Sequence, residues 1–271
     1  MPTAKIKLAT IEKAADLQQA RDLVDRVWKG HRIPAGAVPE HGGLLLGAFD
    51  DEHLMGCAIA LDRPHQGRRA LYLQKVVIAP HYRGLGIGQA LMTHLRQQAR
   101  VWGHDLMTWT YDPLDAGNAW FYHHKLGAIA AAFLPDHYGP MADGINDHLA
   151  TDRLLVTWPL TDEPVRHHLP LPSHQAGHLD QGARPHPSAP TPLEDRGYAM
   201  AIPTDFQALK RADLELARHW RRRTGSWLAA LLTDHQVVDL IRGRHTCQLV
   251  MLPRAVSAGL LPGLPAGTTT A

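Results

Sequence analysis

The chain has 271 residues, of which 45% are hydrophobic, and this is enough to build one large domain and a smaller one. Its formal net charge of +2 is too small to indicate a nucleic-acid-binding surface, so no nucleic-acid partner is expected. The two cysteines cannot form a disulfide framework and favour a reducing cytoplasm. The first residues lack the apolar core of a signal peptide, and no apolar run is long enough to predict a membrane span.

Apolar periodicity over residues 1–160 predicts strands that alternate with helices. The predicted elements, in chain order, are a strand at 6–9, a helix at 14–29, a hairpin of strands at 43–49 and 54–61, a strand at 71–78, a helix at 88–102, a strand at 106–111, a short helix that ends at Gly127, and strands at 128–133 and 154–158. This order predicts an α/β domain.

The composition changes after residue 160, where prolines recur with histidine, serine and glycine between them. Such a segment is typical of an extended linker, and we expect one at 161–195. The histidines in it are irregularly spaced and have no cysteine partners. They favour a solvated segment over a metal site, so no metal is predicted.

A small α+β unit is predicted at 196–253 and a disordered tail at 254–271. Thr204 and Gln207 form a capping box, which predicts a helix start at Asp205, and Asp213 caps a second helix that runs to about Leu232. Strands are expected at 199–203, 236–241 and 246–252. A unit of this size needs a packing surface on the main domain or on a second subunit, so a homodimer is expected.

The arginine run at 221–223 lies on the second of these helices. It indicates either a phosphate clamp or a solvated helix face, and acidic residues nearby favour the solvated face.

A glycine-rich turn joins the predicted strand at 71–78 to the helix that follows it. Helix starts carry free N–H groups and the positive end of the dipole, and glycines let the backbone close on a phosphate. The turn departs from a Rossmann loop because Gln89 stands where the third glycine belongs, and it lacks the Gly-Lys-Ser/Thr ending of a Walker loop. It predicts a different phosphate-binding loop, and a glycine-rich turn without a ligand is the alternative.

The turn resembles the acyl-CoA loop of the GNAT (N-acetyltransferase) superfamily. Arg83, Gly86 and Gly88 match its Arg/Gln-x-x-Gly-x-Gly/Ala signature. The strand at 106–111, the Asp112-Pro113 turn, Asn118 and an aromatic-rich helix that ends in Leu-Gly follow in the order that superfamily uses. The likeness covers about residues 4–160.

A finer likeness lies in the segments at 108–114 and 151–156. They resemble a predicted-acetyltransferase subfamily that has a carboxy-terminal extension and is linked to N-acylamino-acid metabolism. This likeness extends in patches to Pro253.

The resemblance implies a mixed GNAT-type sheet flanked by helices, with acyl-CoA between splayed central strands. Loop amides would bind the pyrophosphate, an arginine would add charge, strand backbone would pair with the pantetheine arm, and an asparagine would lie near the thiol. The implied cofactor-binding residues are Val76, Ile78, Arg83, Gly84, Leu85, Gly86, Ile87, Gly88, Gln89 and Asn118.

The resemblance leaves the general acid open. GNAT enzymes often place a tyrosine four residues before the helix-ending glycine, but here His123 has that position and Tyr122 stands one residue earlier. One residue is a rotation of about 100° on an α-helix. Either Tyr122 serves through a local distortion, or His123 serves, or neither does and Tyr122 packs in the core.

The base and the acceptor are open as well. Asp112 and Asp115 are base candidates that would otherwise cap the helix, and many GNAT enzymes use a water chain instead. The subfamily likeness implies acetyl-CoA or succinyl-CoA as donor and an amino acid as acceptor. Arg153 or Lys75 would bind its carboxylate, unless Arg153 is a structural ion-pair residue. The alternatives are a protein or peptide N-acetyltransferase and a non-catalytic CoA-binding module.

Overall fold

The computed structural model describes residues 6–28, 32–34, 43–141, 143–146, 148–160 and 186–258. The chain forms two compact units, unit 1 at Met1–Trp109 and unit 2 at Thr110–Ala271. The domain boundaries predicted at residues 160 and 195 fall inside unit 2 and stay a prediction.

Unit 1 contains the first five strands and two helices. Its elements are β1 (Lys7–Thr10), α1 (Ala14–Val27), β2 (Gly43–Asp50), β3 (His53–Asp62), β4 (Ala70–Ile78), a 3₁₀ turn (Pro80–Tyr82), α2 (Ile87–Val101) and β5 (Leu106–Tyr111), whose last two residues belong to unit 2. Neighbouring strands are antiparallel from β1 to β4, and β5 runs parallel to β4. The predicted element order and the mixed α/β class are therefore confirmed.

Each helix of unit 1 buries the face that the periodicity predicts. On α1, Leu23 and Val24 are buried in a core cluster with Leu45 and Ile59 of the sheet. On α2, the buried residues are Ile87, Leu91, Met92, Leu95 and Ala99, which recur at helical spacing. The helices are thus held against the sheet by apolar burial.

Strand β4 is bulged, and it leaves its parallel neighbour early. Its register with β3 shifts between Lys75 and Leu73, so Gln74 is an extra residue. Pairing with β5 covers only Ala70 to Tyr72, although β4 continues to Ile78. The second half of β4 therefore has no strand partner on its β5 side within the described residues.

Unit 2 is built on an antiparallel sheet with the order β7-β6-β10-β11-β9-β8. Its elements are α3 (Ala116–Ala119), a π-helical turn (Trp120–Lys125), β6 (Ile129–Leu134), β7 (Arg153–Pro159), β8 (Thr191–Pro192), a 3₁₀ turn (Glu194–Arg196), β9 (Tyr198–Pro203), α4 (Phe206–Ala212), α5 (Leu214–Leu231), β10 (His235–Ile241), β11 (Thr246–Pro253) and α6 (Arg254–Ala258). Strands from both sides of the Pro/His-rich segment thus share one sheet.

Some predicted boundaries in unit 2 change in the structure. The cap of α4 is Asp205, whose carboxylate accepts from Ala208 N, so the capping box predicted at Thr204 is wrong by one residue. Asp213 caps α5 as predicted, accepting from Leu216 N. Helix α6 lies where the sequence predicts a disordered tail, while residues 161–185 of the predicted linker lie outside the described residues.

None of the helices in the described ranges combines the length and the apolar character that a bilayer crossing requires.

Candidate functional site

The glycine-rich loop of unit 1 has the backbone of an anion cradle. Gly84 and Gly86 adopt φ values of +79° and +80°, which L side chains rarely adopt, and Gly86 is the N-cap of α2. A Cβ at either position would meet no heavy atom within 4 Å. Both glycines therefore face open space, where a side chain would stand in the way of a ligand.

The first amides of α2 are available for that ligand. Arg83 N donates to Pro80 O and Ala90 N donates to Gly86 O, but no backbone hydrogen bond in the described loop uses the N–H groups of residues 84–89. The N–H groups in the first turn of an α-helix have no carbonyl acceptor within the helix, and the helix dipole is positive at this end. The loop thus fits a diphosphate, and the exposed Arg83 adds a positive charge beside it.

The outer half of β4 presents its backbone away from β3. Ala79, the residue after β4, donates its N–H to Met55 O of β3 at 2.9 Å. Because N–H directions alternate along a strand, the amides of Val76 and Ile78 point to the opposite side, where β4 has separated from β5. The carbonyl of Ile78 also accepts from Arg83 Nε at 3.4 Å. The pairing with the pantetheine arm that the GNAT resemblance implies for these two residues stays a prediction.

The helix after β5 contains a local distortion of the kind that a catalytic role for Tyr122 would need. Trp120–Lys125 form a π-helical turn, in which Leu126 N donates to Phe121 O, five residues back. Such a turn holds one residue more than an α-helical turn. An extra residue of this kind would offset the one-residue displacement of Tyr122, whose catalytic role stays a prediction. Gly127, at φ +69°, ends the helix.

Tyr122 is buried in unit 2 with its ring against Tyr111, at 5.6 Å between centroids. Burial raises the pKa of Tyr122, and the nearby Asp115 carboxylate raises it further. The phenol is therefore protonated over the physiological pH range.

His123 is 1% exposed, and both of its ring nitrogens are hydrogen-bonded. Nδ1 lies 2.7 Å from Ala128 O and must donate, because a carbonyl only accepts. Nε2 lies 2.8 Å from Tyr111 Oη and accepts its proton. Burial lowers the pKa of His123 to about 4, although the hydrogen bond to Ala128 acts in the opposite direction. The neutral ring thus has a structural role in this geometry.

We expect the free energy of unfolding to fall as the pH is lowered from about 6.5 towards 4, because the unfolded chain binds a proton that folded His123 rejects. The stabilisation is complete above the unfolded pKa of about 6.5 and amounts to roughly 3 kcal/mol. Urea unfolding at a series of pH values measures it. His123→Asn keeps a donor for Ala128 O but does not titrate, so an equally steep pH dependence in this variant would contradict the assignment.

Asp112 forms an ion pair with Arg221 of α5. Its two oxygens accept from Arg221 Nη1 at 2.8 Å and from Nη2 at 2.5 Å, and Oδ1 also accepts from Leu114 N at 2.9 Å. Burial would raise the pKa of Asp112, but the guanidinium charge and its hydrogen bonds hold the pKa below the usual range. A carboxylate in this state is a weak base, which favours a structural role for Asp112.

Asp115 caps α3 and orients Asn118. Its Oδ1 accepts from Asn118 N at 2.9 Å, and its Oδ2 accepts from Asn118 Nδ2 at 2.9 Å. The side-chain carbonyl of Asn118 has no partner among the hydrogen bonds of the described residues and is the part of the amide that can accept from a ligand.

The two predicted carboxylate-binding cations have different surroundings. Arg153 is buried and donates to Asp152 O and to Asn146 Oδ1, at 2.8 and 2.9 Å. Lys75 is half-buried with Nζ 5.5 Å from the centre of the Trp28 ring, and burial lowers its pKa. No ion pair within the described residues involves Lys75, so its ammonium is the better placed of the two to bind a carboxylate.

Within the part of the chain that the structure describes, no group of three or more His, Cys, Asp or Glu residues could hold a metal ion. Four of the five histidines of the predicted linker, His167, His168, His174 and His178, lie outside it.

A comparison with protein-family models finds a match that contains the glycine-rich loop. The family model described as the acetyltransferase (GNAT) family matches residues 11–128. No curated protein matches the sequence.

Three of the similar solved structures illustrate the likeness. The ribosomal-protein-S18-alanine N-acetyltransferase from Escherichia coli is 16% identical, with 60% of this chain and 99% of that one covered and a TM-score of 0.46. Naa50 from Arabidopsis thaliana is 18% identical, with 56% and 97% covered and a TM-score of 0.46. The aminoglycoside 6'-N-acetyltransferase from Enterococcus faecium is 19% identical, with 58% and 99% covered and a TM-score of 0.45.

The matched segment begins before α1 and ends just after the helix that carries Tyr122, so it contains both the glycine-rich loop and the Asn118 helix. Residues 11–128 therefore belong to the acetyltransferase (GNAT) family and give this chain an N-acyltransferase domain.

Proposed function

We propose that this protein transfers an acetyl or succinyl group from acyl-CoA to the amine of a small molecule, and that this small molecule is an amino acid. The observation that carries the proposal is the loop before α2. Its two left-handed glycines face open space, and its amides at residues 84–89 have no backbone acceptor within the described residues. A diphosphate fits both features.

In this proposal the loop and β4 of unit 1 bind the donor. The amides from Gly84 to Gln89 hold the pyrophosphate and Arg83 adds charge. The backbone of Val76 and Ile78 pairs with the pantetheine arm, and an amide there polarises the thioester carbonyl. The donor supplies an activated acyl group, and this chain's residues fix its orientation.

Tyr122 is the proposed general acid. The acceptor nitrogen forms a bond to the thioester carbon, the carbon–sulfur bond breaks, and the Tyr122 hydroxyl protonates the departing thiolate. The amine loses its proton to water, and solvent returns a proton to Tyr122. His123 has no N–H to spare, because its one proton is donated to Ala128 O. Asp112 is engaged by Arg221, so no side-chain base is included.

Lys75 is the proposed ligand of the acceptor carboxylate. Its half-buried ammonium has no ion pair within the described residues, and a carboxylate would supply the missing charge. Arg153 is engaged by Asp152 O and Asn146 and is less suited to the role.

We also propose that the protein is cytoplasmic and forms a homodimer. Neither cysteine forms a disulfide and both are buried, which suits a reducing compartment. Sedimentation of the purified protein tests the dimer, and a single monomeric species would exclude it.

A thiol-release screen tests the reaction. We expect free CoA to appear when acetyl-CoA or succinyl-CoA is mixed with an amino acid, and to appear more slowly with the corresponding amino-acid amide, which lacks the carboxylate. The two cysteines are 0% and 4% exposed, so the protein itself contributes little background to a thiol reagent.

The panel includes D- and L-amino acids, polyamines and peptides as acceptors. Turnover on peptides alone would replace the amino-acid assignment with a peptide N-acetyltransferase. If the protein binds CoA but turns over no acceptor, the result would identify it as a non-catalytic CoA-binding module.

A further inference from the structure

An ion pair in unit 2 joins α5 to the turn that follows β5. Arg221 and Asp112 meet through two parallel hydrogen bonds, and only 6% and 17% of their side chains are exposed. We propose that Arg221 is a positioning residue for acyl transfer, which holds the turn after β5 and thereby the start of the helix that carries Asn118 and Tyr122. This inference rests on the proposed function.

Arg221 is fixed on more than one side. Its guanidinium lies 5.2 Å from the centre of the Phe206 ring on α4, and the charges of Asp112 and Asp152 raise its pKa despite burial. A planar guanidinium that meets a carboxylate through two bonds fixes the direction as well as the distance of its partner. Rotation of the Asp112 carboxylate is therefore restricted.

The restricted carboxylate controls the turn that follows it. Asp112 Oδ1 accepts from Leu114 N, and Asp112 O accepts from Asp115 N, both at 2.9 Å. The Asp115 carboxylate in turn accepts hydrogen bonds from the backbone N and the side-chain Nδ2 of Asn118. A continuous set of hydrogen bonds thus runs from Arg221 to Asn118, all within unit 2.

Stability alone is a poor explanation for this pair. The free energy needed to remove two charges from water offsets much of their mutual attraction. Replacement of a buried ion pair by apolar residues therefore often leaves the stability of the protein unchanged. Asp112 lies inside the segment matched by the acetyltransferase family and Arg221 lies beyond it. The carboxy-terminal extension therefore supplies the counter-ion that this turn requires.

Two variants test the inference with folding controlled. Arg221→Lys keeps the charge but loses the planar fork. The double variant Asp112→Asn/Arg221→Met removes both charges, because Arg221→Met alone would leave a buried carboxylate unpaired and risk misfolding. Arg222→Met, at the exposed neighbouring position on α5, is the matched control.

We expect kcat to fall about 10-fold in Arg221→Lys and about 100-fold in the double variant, as for a misplacement of about 1 Å. KM for acyl-CoA should change less than about twofold, because the loop is untouched. Thermal melting, measured first, confines the assay to temperatures at which each variant is folded. Full kcat in both folded variants would overturn the positioning role, and a loss of kcat in Arg222→Met would assign the effect to helix charge instead.

Hydrogen exchange separates failure of this inference from failure of the proposed function. The amides of Leu114 and Asn118 should lose at least about tenfold protection in the double variant, whether or not an acceptor has been found. Wild-type protein that turns over no acceptor would refute the proposed function. Unchanged exchange at these two amides would refute the positioning role.

Discussion

Tyr122→Phe is expected to lower kcat about 10²- to 10⁴-fold, the usual contribution of a positioned proton transfer. The substitution removes only the hydroxyl, so the ring contact with Tyr111 and the π-helical turn should persist. KM for acyl-CoA should stay nearly constant, because the role proposed for the phenol concerns the departing thiolate and not the pyrophosphate. Steady-state kinetics of CoA release measure both parameters.

Two variants accompany this measurement. Tyr198→Phe, on β9 of unit 2, removes a hydroxyl outside the proposed site and should retain wild-type kcat. His123→Ala deletes two buried hydrogen bonds. It should lower the melting temperature and leave kcat of the folded enzyme nearly unchanged. A full loss of kcat in His123→Ala, with Tyr122→Phe unaffected, would transfer the acid role to His123.

The order of elements in unit 1 could be predicted because local patterns decide it. Apolar residues on α1 and α2 recur at helical spacing, and the structure buries those same faces. The cap of α4 was harder, because Thr204 and Asp205 are neighbouring residues of types that both cap helices. Only the backbone geometry selects Asp205.

The π-helical turn has a sequence signal that spacing alone cannot resolve. Tyr122 stands five residues before Gly127, one more than the GNAT pattern places between its tyrosine and the glycine. Whether the chain absorbs it by rotating the tyrosine away or by widening the turn depends on packing around the helix. The buried hydrogen bonds of His123 to Tyr111 and Ala128 hold the widened form.

Arg221 is the functional candidate that charge reasoning missed. The run at 221–223 favours a solvated face, yet Ala217, Trp220, Arg221, Thr224 and Leu228 are the buried residues of α5. Their spacing follows one helical stripe, so periodicity could have separated Arg221 from its exposed neighbours. Its partner Asp112 lies 109 positions away, a distance at which sequence patterns carry no pairing information.

Gly86→Val is expected to weaken acetyl-CoA binding at least about 100-fold, equivalent to a loss of roughly 3 kcal/mol. At φ +80° a β-branched residue is strained, and its side chain would occupy the open space that the pyrophosphate needs. The wild-type protein should gain several degrees in melting temperature with acetyl-CoA, and the variant should gain none. Titration calorimetry gives the ratio of dissociation constants directly.

Gly67→Val separates loss of the cradle from backbone strain. Gly67 has φ +73° and open space around its Cβ position, like Gly86, but it lies in the loop between β3 and β4 and outside the glycine-rich turn. Both variants should lose a similar amount of intrinsic stability, since the same left-handed conformation is forced on valine in each. Only Gly86→Val should lose the acetyl-CoA shift. A full shift in Gly86→Val would show that the donor binds elsewhere, because a valine in the cradle leaves no room for a diphosphate against the first amides of α2.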